Sequence, residues 1–420
     1  MSHNAFYEQH LQQTRRFFMQ LVAGGAASAV MSQWATAAEL PEECAKACRT
    51  FLDKMEYLTP QEKFNNVSRG NPRPYSLPDE KKREVGLTPE TWKLDIVSDP
   101  DNSADLGQEF KRETDNAFDW KMLMDLAKDH SVSFAKVITC NNIGAPLGMG
   151  IWEGVPLRKV VWLTKPKQNV RRIFYKGYHN DDPNQIFRSS LPIGRVLEDP
   201  YDLPPVILCY KLNGRLLTGE RGSPVRMVVP EAYGFKSVKW LTHLVLSNLH
   251  HANDTYAGGN NDLDSWLKTF ARSMLKPQKI KAGEPIPVTG YSQVGISGLA
   301  KVQTSLMPED TKWPEDDPYF TKAKWTDAHI LPAPEKWGGD LPAGKLPANL
   351  HQFDKETGKP TSWPLRLTMA HWATVIPGLP AGKYVLRCRS IDGKGQAQPM
   401  PRPFRKSGRN AIEEVKIEIT

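Results

Sequence analysis

The sequence lacks several features that would assign it at once to a common class of protein. No stretch of its 420 residues approaches the eighteen or so consecutive apolar residues of a membrane-spanning helix. No basic run alternates with aromatic residues, so the net charge of +8 is not the signature of a nucleic-acid-binding protein. No Ser/His/Asp triad, catalytic carboxylate pair or zinc-ligand spacing stands out.

Cysteine is also scarce, with five residues, so at least one thiol has no partner. Cys44 and Cys48 lie four positions apart in a helical segment, where a disulfide is possible but geometrically tight. No histidine follows Cys48, which argues against haem attachment, and there is no flavin fingerprint. Cys209 and Cys388 lie in alternating apolar runs and are predicted to be buried core thiols. Cys140 is therefore the one cysteine whose surroundings need a separate explanation.

The first residues have the pattern of an export signal. Arg15 and Arg16 form a twin-arginine pair, a weakly apolar segment follows over 21–31, and Ala35-Thr36-Ala37 supplies small residues for cleavage. We therefore expect residues 1–38 to be a signal peptide and the protein to be periplasmic. Because the twin-arginine route transports folded proteins, this signal also favours a cofactor that is inserted before export.

The remaining chain predicts an α+β protein of more than one domain. Residues 39–85 form an irregular, proline-rich arm, and short helices and strands then follow each other without a regular βαβ rhythm over 86–280. Within this region, Ser189-Ser190-Leu191-Pro192 is predicted to open a helix that ends near Leu197, and residues 248–282 form a long polar segment. Residues 281–420 contain strand candidates separated by turn signals, which predicts a β-sandwich of the immunoglobulin type. The 34 prolines fit this turn-rich organisation.

Three stretches of the central region contain side chains that can take part in binding or catalysis. The apolar run that begins at Val137 places Cys140 in a glycine-containing loop. Farther along, Arg226 lies in a short apolar strand, and Gly234-Phe235-Lys236-Ser237-Val238-Lys239 combines a turn with hydroxyl and ammonium groups. Backbone N–H groups, a hydroxyl and cations are the donors that bind phosphate. Taken singly, a buried thiol and an exposed basic turn are the simpler interpretations of these stretches.

Taken together, these motifs resemble the cofactor-binding core of the sulfite oxidase family. The likeness extends over about residues 86–420 and includes Trp152-x-Gly-Val-Pro-Leu after the cysteine loop and Gly290-Tyr291-Ser292 at the start of the C-terminal region. The resemblance implies a molybdenum–molybdopterin cofactor, with Cys140 as the thiolate ligand of the metal. It further implies a sulfite-oxidase-type cofactor domain followed by an immunoglobulin-like domain that forms a homodimer. The residues implied to bind the cofactor are Lys176, Arg221, Arg226, Ser237, Val238 and Lys239.

The arm adds a second resemblance, to the reductive branch of the same family, which acts on methionine sulfoxide in proteins. The similar segment is Phe64-Asn65-Asn66 with Ser68-Arg69, and it implies that Asn65, Ser68 and Arg69 also hold the pterin. Tyr256 lies near the position of an active-site tyrosine in oxidising members. Ala145, however, occupies a position where those members have a substrate-binding arginine. The available replacements are Arg171, Arg172 and Arg188.

These features predict an exported molybdenum-cofactor oxidoreductase that transfers an oxygen atom. The expected reaction is oxidation of sulfite or a related sulfur compound, a small oxyanion, with electrons passed to an external carrier such as cytochrome c. Two alternatives stay open. One is reduction of a sulfoxide by the same site, and the other is a binding protein that keeps the fold without the cofactor.

Overall fold

The computed structural model of the chain describes residues 40–180, 182–200, 202–264, 266–275 and 279–420. The predicted signal peptide over residues 1–38 lies outside these ranges and stays a prediction. Within them, no helix is both long and apolar enough to cross a membrane.

The arm begins with helix α1, Glu42–Leu52, and ends with helix α2, Asp79–Glu84. Helix α1 buries Cys44 and Cys48 against Leu331 and Ala373 of the C-terminal region. Both thiols are free, which leaves no disulfide between them in the structure. Burial raises the pKa of both, that of Cys48 to about 12. Between the two helices, residues 57–77 cross the surface of the central domain.

In the part of the chain that the structure describes, the central domain contains three α-helices and ten strands. The helices are α3, Trp120–His130, α4, Leu157–Trp162, and α5, Ile193–Leu197. The strands are β1, Lys93–Ser98; β2, Phe118–Asp119; β3, Val132–Thr139; β4, Pro146–Pro156; β5, Arg172–Gly177; β6, Arg188–Pro192; β7, Ile207–Leu212; β8, Arg215–Leu216; β9, Arg226–Val228; and β10, Leu241–Ser247.

These strands form two sheets that share one apolar core. The first has the order β2-β1-β10-β5-β6, and the second has the order β3-β4-β7-β8 with β9 added beside β7. Strand β3 is buried on both faces, which agrees with the continuous apolar run that the sequence shows before Cys140. The loop with Cys140 connects β3 to β4, and its position is therefore set by two long strands that pair along their whole length.

The C-terminal region is rich in sheet. Its strands are β11, Phe270–Ser273; β12, Lys279–Ile280; β13, Ile286–Gln293; β14, Lys301–Pro308; β15, Thr326–Ile330; β16, Met369–Ile376; β17, Gly382–Ile391; and β18, Glu413–Ile419. They pair in the order β11-β13-β16-β15-β14-β17-β18-β12. The first half of β15 pairs with β14 and its second half with β16, so this strand passes from one half of the sheet to the other.

Both halves contribute to one core, with Val288 and Trp372 from one half and Leu386 and Ile417 from the other. This arrangement agrees with a sheet-rich C-terminal region. The immunoglobulin-like classification and the dimer remain predictions.

Two local predictions need correction. Residues 189–192 do not open a helix but lie in β6, and the helix begins at Ile193. The reason is that Ser189 and Ser190 are fully buried and bond Asp254, which the local sequence does not show. The polar segment 248–282 contains β11 and β12, and both strands belong to the C-terminal sheet because they pair with β13 and β18. That sheet therefore begins ahead of residue 281, where the predicted domain boundary lies.

Candidate cofactor and active site

A cavity of about 250 Å³ opens where the loop after β3, the arm and the segment after β9 meet. Its wall combines a thiol, several cations and aromatic rings. The cations are Arg69, Arg221, Arg226 and Lys239, and the rings include Phe64, Trp152 and Phe187. Such a combination of apolar walls and a few convergent polar groups is typical of a cofactor or substrate site.

Cys140 is half-buried at this wall, and its thiol donates a hydrogen bond to Oδ1 of Asn142 at 2.6 Å. The strand before it and the turn after it have different functions. Strand β3 fixes the backbone before the cysteine. The turn after it is closed by a hydrogen bond of 3.3 Å from the N–H of Ile143 to the carbonyl of Cys140, and it directs the sulfur toward the cavity.

The C-terminal region holds this loop at three places. The hydroxyl of Thr139 donates to Gln293, the N–H of Gly408 donates to the carbonyl of Asn141 at 2.9 Å, and Nε of Arg272 donates to the carbonyl of Gly144 at 3.1 Å. Gln293 in turn donates to the carbonyl of Lys268 at 2.7 Å. The loop with the thiol is therefore braced from outside by a different part of the chain.

A cluster of three cations forms another part of the wall. Arg226 is buried and donates to the carbonyls of Arg221 at 3.0 Å and Ser237 at 2.8 Å. Among the described residues, the Nε atoms of Arg221 and Arg226 have no hydrogen-bond partner. Burial lowers the pKa of Arg226 to about 10. Burial first, and then the charges of Arg226 and Arg221, holds the pKa of Lys239 well below its usual value. Buried cations with unused donors favour the binding of an anion.

Glycine permits the close packing of this cluster. Gly222 has a φ of +104°, and a Cβ there would lie 2.9 Å from Cβ of Lys239. Any side chain at position 222 would therefore both strain the backbone and displace the lysine.

The arm closes the cavity from the side of Lys239. The N–H of Asn65 donates to the carbonyl of Leu147 at 2.8 Å, which attaches the arm to β4. Nζ of Lys239 donates to Oδ1 of Asn66 at 3.1 Å and to Oγ of Ser68 at 2.9 Å. The arm thus supplies acceptors to a cation of the central domain.

Tyr256 contacts the cavity from the loop that follows β10. Its ring packs edge-on against Phe187, and the guanidinium of Arg69 and the ammonium of Lys406 lie 6.0 and 5.0 Å from its centre. Burial raises the pKa of the phenol, and the charge of Cys140 raises it further. The tyrosine loop is fixed by Asp254, which accepts from Nζ of Lys236 at 2.7 Å in a buried ion pair.

All of the predicted site residues line this one cavity except Lys176. The lining members are Asn65, Ser68, Arg69, Cys140, Arg221, Arg226, Ser237, Val238, Lys239 and Tyr256. Lys176 lies in a neighbouring cavity. None of the three arginines considered as replacements at Ala145 reaches the main cavity; Arg172, for example, is buried and donates to the carbonyl of His250.

Sequence reasoning did not identify His179, Asn142 or Phe187, which also line the cavity. Nδ1 of His179 contacts the carbonyl of Gly177 at 2.9 Å, and burial lowers the pKa of the imidazole. His179 lies three residues beyond Lys176, and this segment borders both cavities. The only signal for Asn142 in the sequence is that it lies two residues after Cys140, close enough for its side chain to contact the thiol.

The residues present fit a molybdopterin cofactor. The unpaired Nε atoms of Arg221 and Arg226 and the ammonium of Lys239 offer positive donors to a phosphate, and the thiol of Cys140 is a soft ligand suited to molybdenum. Within the described residues, no group of three or more His, Cys, Asp or Glu side chains could bind a metal by itself.

Comparison with known proteins agrees with this geometry. Residues 84–255 match the model of the oxidoreductase molybdopterin-binding domain. Sulfite oxidase of Gallus gallus is 33% identical over 109 residues, which are 25% of this chain and 23% of that protein. Mitochondrial sulfite oxidase of Drosophila melanogaster is 29% identical over 107 residues, 24% of this chain and 18% of its own. A nitrate reductase [NADPH] of Beauveria bassiana is 27% identical over 131 residues, 31% of this chain and 14% of its own.

The similarity to a solved structure extends over more of the chain. The crystal structure of the sulfane dehydrogenase SoxCD from Paracoccus pantotrophus superposes with a TM-score of 0.54 at 17% identity, covering 80% of this chain and 79% of that one. At this identity the likeness concerns the fold alone.

The protein therefore contains a molybdopterin-binding oxidoreductase domain. The resemblance of its motifs to the sulfite oxidase family is confirmed. The matched segments span only 14% to 23% of the three relatives' lengths, so the likeness concerns this domain and not their whole activities.

Proposed function

We propose that this protein is an exported molybdenum–molybdopterin enzyme that oxidises sulfite or a related small sulfur compound and passes the electrons to an external carrier such as cytochrome c. The main observation in support is one cavity that combines the thiol of Cys140 with three cations, two of which have unused donors. When bound, the cofactor would supply two-electron oxygen-atom-transfer chemistry.

The residues of the chain divide into two functional groups. Cys140 would ligate the metal, and its thiol donates a hydrogen bond to Oδ1 of Asn142. Arg221, Arg226 and Lys239 would bind the phosphate, with Asn66 and Ser68 orienting the lysine. Ser237 supplies its carbonyl to Arg226 and its hydroxyl to the N–H of Val229 at 3.2 Å, which fixes the turn.

The substrate would bind on the side of Tyr256 and Arg69. Arg69 is exposed and its guanidinium lies 4.7 Å from the centre of the Phe187 ring, so it can orient an incoming oxyanion without a fixed carboxylate partner. Tyr256 offers a phenol that burial keeps protonated, since its pKa is raised. A protonated phenol donates a hydrogen bond to an anion.

Two measurements test this proposal. Elemental analysis of the protein purified from its native host should find molybdenum, and steady-state kinetics should show turnover of sulfite with an artificial one-electron acceptor. Wild-type protein without molybdenum would favour a binding protein that has kept only the fold.

Sulfoxide reduction is the second candidate, and specific observations favour it. Asn65, Ser68 and Arg69, the segment similar to the reductive branch, line the cavity, while Ala145 contributes no charge. Activity with methionine sulfoxide and a low-potential electron donor, without sulfite oxidation, would select this function over the first. The molybdenum content would be the same in both cases.

A further inference from the structure

A second cavity, of about 480 Å³, lies beside the first one and shares His179 with it. Its cationic lining residues are Arg83, Lys93, Arg112 and Lys176, and among the residues that the structure describes its one lining carboxylate is Glu84. This cavity therefore has a strong excess of positive charge.

The excess follows from the register of three neighbouring strands. Asp95 of β1 pairs with His243 of β10, and His243 pairs with Lys176 of β5, so the three side chains form one row across the sheet. Asp95 bonds Arg112 at 3.1 Å and lies 3.4 Å from Nε2 of His243. The carboxylate is thus shared between two partners and does not reach Lys176.

The other carboxylates near the cavity are also engaged. Lys93 pairs with Asp115 at 3.1 Å, and Glu84 pairs with Lys81 at 2.5 Å. Neither Lys176 nor Arg83 has a side-chain hydrogen bond or a carboxylate within 4 Å among the described residues. Lys176 and Arg83 therefore line the same cavity without a salt bridge among the described residues, while Asp79 and Glu90 interact with Arg83 at longer range.

The imidazole at the centre of the row does not add to this charge. Burial first, and then the charges of Lys176 and Arg112, lowers the pKa of His243 to about 3. A neutral imidazole beside Lys176 and Arg83 leaves these two cations as the main source of an excess of positive charge in the site.

We propose that this second cavity binds a doubly negative tetrahedral oxyanion, free or attached to a small organic molecule, through Lys176 and Arg83. Ammonium and guanidinium groups are the side chains best suited to phosphate- and sulfate-type oxygens. The cavity is larger than one such ion needs, which leaves room for an organic substituent. This site is separate from the cofactor cavity and does not depend on the proposed reaction.

The anion site also has a direct mechanical connection to the cofactor cavity. Lys176 and His179 belong to one short segment, and the glycine between them packs so closely that a Cβ at Gly177 would lie 2.0 Å from the carbonyl oxygen of Lys239. The N–H of Tyr178 donates to the carbonyl of Trp240 at 2.8 Å. A bound anion that pulls Lys176 inward would therefore act on the backbone of the phosphate-binding lysine.

The test is a calorimetric titration of the cofactor-loaded, full-length mature protein. The titrants are sodium phosphate, sodium sulfate and glycerol phosphate, and chloride keeps the ionic strength constant. Saturable binding is expected for all three. Tighter binding of glycerol phosphate would identify an organic anion as the preferred form, and equal binding would identify the free ion.

Lys176→Met and Arg83→Gln should each weaken binding about tenfold or more, as expected for the loss of a charge-assisted contact. Lys176→Arg should retain it. Lys128→Met, on the exposed face of α3, removes the same charge far from the cavity and should change nothing. Thermal unfolding of each variant checks that the fold is intact.

Three outcomes would overturn the proposal. One is no saturable binding to the wild-type protein, and another is unchanged binding in Lys176→Met, which would place the anion elsewhere. The third is a fall in the molybdenum content of Lys176→Met, because Lys176 would then be part of the cofactor site. If the wild type and all variants lack molybdenum, but Lys176→Met still loses the anion binding of the wild type, only the proposed reaction is contradicted. The anion site is then still supported.

Discussion

Arg272 and Gly144 are joined by a hydrogen bond of 3.1 Å from Nε of the arginine to the glycine carbonyl, which links the first strand of the C-terminal sheet to the loop with Cys140. A Cβ at position 144 would lie 2.6 Å from the guanidinium, so glycine is what allows this approach. The loop that lacks an arginine at Ala145 is thus held by an arginine more than a hundred residues farther along the chain.

Replacing Arg272 should loosen the cysteine loop. We expect Arg272→Gln to lower the free energy of unfolding by about 1–3 kcal/mol, the usual contribution of a hydrogen bond from a charged group. Activity should fall more than stability, because a displacement of the thiol affects the metal directly. Denaturant unfolding measures the stability and steady-state kinetics on the same preparation measure the activity. Arg215→Ala, an exposed arginine on β8, is the control, and equal losses in the two variants would contradict the bracing role.

Cys140→Ser tests the predicted metal ligand. The substitution keeps the size of the side chain but removes the soft sulfur, so activity should fall at least a hundredfold, roughly the loss caused by removing a key active-site group. Pterin content should be retained, since its predicted ligands are the cations. Metal and pterin analyses of the purified variant separate the two effects. Cys209→Ala, at a fully buried thiol outside the cavity, should keep its molybdenum, and loss of the metal there as well would point to a general failure of folding.

Lys239→Met tests the phosphate site. It removes a cation whose pKa is already lowered by burial and by Arg226 and Arg221, and an anionic ligand would favour its protonated form. We expect pterin retention to weaken about tenfold or more, with Lys239→Arg less affected. In the wild type, retention should decrease as pH rises, because the lysine then loses its proton. The content of extracted pterin after dialysis measures both effects, with the exposed Lys383→Met as the control.

The sequence predicted the location of most of this site because its residues lie in short motifs that fold locally. Cys140 follows a buried strand directly, and Ser237, Val238 and Lys239 share one turn, so neighbouring positions in the sequence are neighbours in space. His179 and Arg272 were not predicted, for a different reason. Their place at the site depends on strand register and on packing between regions, and neither leaves a pattern in the residues around them.

The same distinction applies to the fold. Strand β17 coincides with the apolar alternation over residues 382–391, since half-buried strands alternate along the chain. Strand β6 was mistaken for the start of a helix because its serines are buried by a distant carboxylate, Asp254. Polar residues in a buried strand cannot be recognised without knowing their partners.

Tyr256→Phe tests the phenol beside the thiol. We expect the variant to fold normally and to keep its molybdenum, because the ring packing against Phe187 and Phe235 is unchanged. Loss of one hydrogen bond to an anionic substrate should reduce kcat/KM about 10- to 100-fold. Tyr319→Phe, at an exposed ring on the C-terminal region, serves as the control. If the kinetics of Tyr256→Phe are unaltered, the tyrosine has no role in the reaction and contributes only to packing.

Lys136 makes the stability of the protein depend on pH in a direction that can be checked. This lysine of β3 is fully buried, and its Nζ donates to the carbonyls of Pro230 at 2.6 Å and Ala232 at 2.9 Å, just after the strand with Arg226. Burial lowers its pKa from 10.5 to about 7. Between about pH 7 and 10 the unfolded chain therefore binds one more proton than the native one, and the lysine makes the native state more stable as pH rises.

Lys136→Met removes this titration. The stability of the wild type relative to the variant should rise by up to about 1.4 kcal/mol per pH unit across that window and become constant below it. Denaturant unfolding of both proteins at pH 6 to 10 measures the difference, and Lys121→Met, at an exposed lysine on α3, provides a charge-matched reference. A stability difference that is independent of pH would show that Lys136 stays protonated in the native protein, held by the two carbonyls and the nearby charge of Glu231.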